Sequence, residues 1–114
     1  MSEPINRWFS RAAPFHGLSA CGLRYPEGAV FSRSWDAQFP ATMLDELWPR
    51  LVPIAEATGC AGAERMDWTF DAGLVTATTH ASGAIFFLLF NRPAGGRDAA
   101  GVERMLFEFR ALRA

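Results

Sequence analysis

Seven consecutive apolar residues, Ala84-Ile85-Phe86-Phe87-Leu88-Leu89-Phe90, stand between Ser82-Gly83 and Asn91-Arg92-Pro93. Successive side chains of a β-strand point to opposite faces, so a strand apolar at every position needs cover on both. The run is far too short to cross a membrane, and the glycine before it and proline after it favour strand over helix. It therefore predicts the middle strand of a sheet held between helices, and the other elements are placed around it.

Upstream, Ser2-Glu3-Pro4 reads as an N-cap with proline in the first turn. Ile5, Trp8, Phe9 and Ala12 follow at helical spacing, which predicts an amphipathic helix to about Ala13, ended by Pro14-Phe15-His16-Gly17. Two strands, Ser19 to Tyr25 and Ala29 to Trp35, are joined by the turn chemistry of Pro26-Glu27-Gly28. A second helix is expected over Pro40 to Thr58. Its interior prolines, Pro49 and Pro53, each cost about 3 kcal/mol in a regular helix. Both share a face with Asp45 and Glu56, while Met43, Leu44, Leu47, Trp48, Leu51, Ile54 and Ala55 form a broad apolar face opposite. This reads as a kinked or briefly interrupted helix with its prolines turned to water.

Three more strands follow in a meander. Arg65 to Asp71 alternates Met66, Trp68 and Phe70 with Arg65, Asp67, Thr69 and Asp71. Asp71-Ala72-Gly73 leads into Leu74 to His80, and Ala81-Ser82-Gly83 leads into the apolar run. Asp98 caps a last helix whose stripe is Val102, Met105, Leu106, Phe109 and Leu112. The expected fold is a single α+β domain over residues 1–114, with five antiparallel strands and three helices in the order αββαβββα.

Composition narrows the function. At 12.6 kDa, half hydrophobic and 20% charged, the chain is globular. A net charge of −1 without a basic run lacks the electrostatic footprint of a nucleic-acid binder. All 11 basic residues are arginine, which excludes a Schiff-base or phosphate-loop lysine. No signal peptide or transmembrane stretch is read, so a reducing cytoplasm is expected, with no membrane partner.

Residues with chemical potential are few. His16 and His80 are the only histidines, and neither is placed to activate Cys21 or Cys60, which read as small buried thiols. The histidines lie far apart without a carboxylate cluster, so no metal set is expected. Asp67 and Asp71, about 13 Å apart by strand rise, read as a solvated face. Gly95-Gly96 lacks the continuation of a phosphate loop; Arg92 and Arg97 read as surface charges, with an anion site at the Asp98 helix start as the other reading. No catalytic residue and no cofactor is expected, and the protein reads as a non-enzyme. The aromatic surplus, Trp8, Phe9, Trp35, Phe39, Trp48, Trp68 and Phe70, leaves two readings open: a dense core, or an interface.

The order of elements, from Ala13-Pro14-Phe15-His16-Gly17 through the paired strands to the central Ala84 to Phe90 and the last helix, is similar to the Roadblock/dynein-light-chain family. That resemblance implies a cytoplasmic protein–protein interaction module that regulates or scaffolds a small GTPase, motor or signalling complex. It places Arg65 to Asp71 at a sheet edge and implies a homodimer in which that edge and the second helix meet their mates. Trp48, Met66, Trp68 and Phe70 are then the expected interface residues. Profilin-like folds, PAS and GAF domains included, share related mixtures of sheet and helix. They give the other reading, a sensory domain whose aromatics line a pocket for a small apolar ligand between sheet and helix.

Overall fold

The structure, a computed structural model, describes residues 2–59, 65–71, 73–91 and 98–113. The elements are α1 (Glu3–Arg11), β1 (Leu18–Arg24), β2 (Val30–Ser34), α2 (Ala41–Gly59), β3 (Met66–Phe70), β4 (Gly73–Thr79), β5 (Ile85–Asn91) and α3 (Ala99–Ala111). This is the expected αββαβββα order. All strand pairs are antiparallel, and the sheet runs β2-β1-β5-β4-β3.

The apolar run is the central strand and is covered twice. Its even residues, Phe86, Leu88 and Phe90, pack with Ile5 and Phe9 of α1 and Val102, Met105, Leu106 and Phe109 of α3. Its odd residues, Ile85, Phe87 and Leu89, pack with Leu44, Trp48, Val52 and Ala55 of α2. The alternation of a strand thus divides one hydrophobic run between two cores.

Local chemistry sets the element ends. Ser2 Oγ accepts from the Ile5 N–H (3.3 Å), and an Asp98 carboxylate oxygen accepts from the Gly101 N–H (3.1 Å). The Arg33 guanidinium, on the α1 side of β2, donates to the carbonyls of Phe9 (2.9 Å) and Ala12 and closes the C-terminal end of α1. The hairpin between β1 and β2 turns at Gly28 with φ +106°, a conformation open to glycine at no steric cost.

α2 is continuous through both prolines. Pro49 and Pro53 are exposed, so the carbonyls of Asp45 and Pro49 that lose their helical donors lie on the wet side. The broad apolar face expected for this helix is corrected to a narrower one. Leu44, Trp48 and Ala55 are fully buried, with Val52 beside them, but Met43 is 40% and Ile54 46% exposed. Leu47 and Leu51 are half-buried.

Candidate interaction surface

The reactive side chains are tied into the structure. Cys21 lies in β1 with no exposed surface, and burial pushes its thiol up to about 12, only partly offset by the nearby Arg33 cation. A thiol so protonated is a packing group. Native protein at pH 8 is expected to leave Cys21 unmodified by iodoacetamide over hours, and denaturant to release it. Mass spectrometry of the peptide containing Cys21 checks this; rapid native alkylation would contradict it.

His80 is buried at the end of β4. The Ser82 N–H donates to its Nδ1 (3.0 Å), which leaves the proton on Nε2 to donate to the Leu112 carbonyl (2.5 Å). The ring therefore ties the hairpin before β5 to the end of α3. His16 is exposed in the turn before β1, and Asp67 and Asp71 are exposed as expected. Asp67 is paired with Arg65, which also bonds Glu103. Among the described residues no three His, Cys, Asp or Glu side chains stand together as a metal set. Cys60, Arg92, Gly95-Gly96 and Arg97 lie outside the described residues.

The core aromatics fill space against one another. Trp48 stacks on Phe87 with centroids 5.1 Å apart, Phe86 stacks on Phe109 at 5.2 Å, and Trp8 meets Phe86 edge-on at 5.0 Å.

A surface remains on the α2 side of the sheet. One flank of α2 is fastened toward β2 and β1: the Ser32 hydroxyl donates to Asp45 (2.5 Å), and Arg24 pairs with Glu56 (3.3 Å). At 100° per residue, Met43, Leu47, Leu51 and Ile54 occupy the opposite flank, which faces the β4–β3 end of the sheet. There Trp68 and Phe70 of β3 are half-buried on the same sheet face as α2. Six large apolar side chains thus lie along one helix flank and the adjoining strand.

The backbone of β3 completes this surface. The His80 N–H donates to Ala84 O (2.7 Å), so even-numbered residues of β4 bond toward β5. By alternation Gly73, Val75 and Ala77 bond toward β3, opposite Phe70, Trp68 and Met66. The N–H and C=O groups of Asp67 and Thr69 consequently point to the outer edge. β3 carries neither proline nor lysine, two common protections of an edge strand.

The four expected interface residues divide evenly. Trp68 and Phe70 lie on this surface, but Trp48 has no exposed area and Met66 only 4%. The expectation of Trp48 as an interface anchor is corrected: its ring is inside its own subunit, and its Nε1–H donates to Ser32 Oγ (2.9 Å). Met43, Leu47, Leu51 and Ile54 belong to the broad apolar face expected for this helix but flank its buried line. At about 100° per residue their position off the line through Leu44, Trp48 and Ala55, from about 40° for Leu51 to about 120° for Met43, is the available signal. No protein-family model and no curated protein matches the sequence.

Proposed function

We propose that this protein is a non-enzymatic protein–protein interaction module, a homodimer that scaffolds or regulates a small GTPase or signalling complex in the cytoplasm. The observation that supports the reading is the coincidence of an outermost strand, β3, with an apolar helix flank on the same side of the sheet. An open edge offers backbone donors and acceptors, and the flank offers area to bury beside them.

Two-fold pairing of β3 about Trp68 suits both. Asp67 then lies opposite Thr69 of the second copy, forming hydrogen-bonded pairs from the outward backbone groups of each. The two Trp68 rings meet at the closely spaced central pair, on the face where the α2 flanks approach. The same arrangement is what the resemblance to Roadblock-like domains implies, and the GTPase or signalling role rests on that analogy.

Thr69→Pro removes one outward donor from each copy while leaving the β3–β4 ladder whole. It is expected to raise the dimer dissociation constant by about 30-fold, from two lost bonds of about 1 kcal/mol each. Trp68→Ala is expected to weaken association further. Both are read by concentration-dependent gel filtration, with circular dichroism to verify that each variant is folded. A dimer unaffected by either substitution uses another surface and refutes this arrangement. Retention of a purified small GTPase on the immobilised wild-type dimer would support the regulatory role.

A further inference from the structure

The opposite edge of the sheet carries a different chemistry. The Tyr25 N–H donates to Ala29 O and the Trp35 N–H to Ser19 O, each at 2.9 Å. Odd-numbered residues of β2 therefore bond toward β1, and the backbone groups of Val30, Ser32 and Ser34 point outward. The two sides of this edge differ.

On the α2 side, the Ser32 hydroxyl holds the exposed carboxylate of Asp45 next to the strand at 2.5 Å, itself fixed by the bond from Trp48 Nε1. Asp45 has no cationic partner among the described residues. On the α1 side lies a hollow of about 390 Å³ lined by Asn6, Phe9, Ser10, Phe31, Ser32 and Arg33. Phe31 is 36% exposed there. The Arg33 guanidinium on this side donates to the carbonyls ending α1 and lies 4.9 Å over the Trp35 ring. One side of the edge thus presents a carboxylate, and the other presents the Phe31 ring in a hollow with Asn6, Ser10 and the hydrogen-bonded Arg33.

We infer that β2 is a second docking edge, which takes an extended segment of another protein in which basic and large apolar residues alternate. Adding a strand satisfies the outward groups of Val30, Ser32 and Ser34. The residue opposite Ser32 points to the α2 side, where an arginine or lysine meets Asp45. Its two neighbours point to the α1 side, where an aromatic or long aliphatic side chain enters the hollow beside Phe31. A second copy of this chain fits poorly. Antiparallel self-pairing about Ser32 would bring two Asp45 carboxylates together with no cation between them. The inference does not depend on dimerisation through β3.

Three fluorescein-labelled heptapeptides test it: one alternating phenylalanine with arginine, one alternating phenylalanine with glutamate, and the arginine peptide N-methylated at alternate amides. Anisotropy is expected to show the arginine peptide binding about tenfold more tightly than the glutamate peptide. N-methylation is expected to abolish binding, because it removes the strand's donors. Amide NMR shifts should fall at Val30, Ser32 and Ser34. Asp45→Lys is expected to reverse the charge preference, Asp45→Asn to remove it, and Phe31→Ser to weaken binding of both peptides. Thr69→Pro should leave this binding unchanged, which separates it from the β3 edge. Absence of binding, binding that survives N-methylation, a preference unmoved by both Asp45 variants, or shifts at Asp67 and Thr69 instead would each overturn the inference.

Discussion

Phe87→Asp is expected to abolish folding. Phe87 has no exposed surface, occupies the central strand, and lies flat against Trp48 with an interplanar angle of 13°. Removing the ring alone, as in Phe87→Ala, costs about 3–5 kcal/mol in a packed core. An aspartate at this position adds a carboxylate surrounded by Ile85, Leu89, Val75 and Ala77 side chains and their neighbours, with no cation in that cluster. Burying such a group costs several kcal/mol more, whether it remains charged or takes up a proton. Against a total stability of about 5–15 kcal/mol for a domain of this size, the sum leaves little or no native population. The expected observation is inclusion-body protein, or soluble protein without a cooperative thermal transition. A cooperatively melting Phe87→Asp variant would show that the face toward α2 is open to water, contrary to the two-sided burial on which the fold rests.

The second large effect is at Gly22, in β1 beneath α2. A Cβ added there would lie 2.7 Å from Trp48 Cδ1, and nearer still to Nε1 and Cε2. The indole cannot readily retreat, being stacked on Phe87 and bonded to Ser32. Two effects oppose each other in Gly22→Ala. Restricting the unfolded chain favours alanine by about 0.4–1 kcal/mol. Overpacking a full core opposes it by about 1–3 kcal/mol, and the rigidity of the indole places this site toward the upper end. Net destabilisation of about 2 kcal/mol is therefore expected for Gly22→Ala, and more for Gly22→Val. Combining Gly22→Ala with Trp48→Leu should show strong positive coupling, because the smaller side chain vacates the space that the methyl needs. Urea denaturation of the four proteins in that cycle measures it. Additivity would mean that Trp48 does not occupy the space over Gly22.

These sites show where sequence was legible and where it was not. The run from Ala84 to Phe90 announced its two-sided burial because a strand leaves no other way to hide consecutive apolar side chains. Pro49 and Pro53 were readable as helix residues because both fell on the polar side with Asp45 and Glu56, where a missing N–H is cheap. Ser2 and Asp98 revealed their helix starts through side-chain chemistry alone. Gly22 carried a signal that went unread: a glycine inside an apolar strand often marks the close approach of another group, here an indole.

The candidate surface was only half legible for a physical reason. A helix with an apolar arc as wide as that from Ile54 to Trp48 does not reveal which part of the arc meets its sheet. That choice is made by packing between residues far apart in sequence, the Trp48 ring over Gly22 and against Phe87, which leaves Met43 and Ile54 exposed. Trp68 and Phe70 could be identified from strand alternation, yet their position on an outermost strand depends on strand order. Hydrophobic periodicity contains no information about that order. The open edge of β2 escaped notice for the same reason.

The most direct measurement is sedimentation equilibrium of the wild-type protein at micromolar concentration. Pairing through β3 and the α2 flank predicts a species of twice the 12.6 kDa protomer mass, shifted toward the protomer in Thr69→Pro. A single species at 12.6 kDa across the concentration range would contradict it.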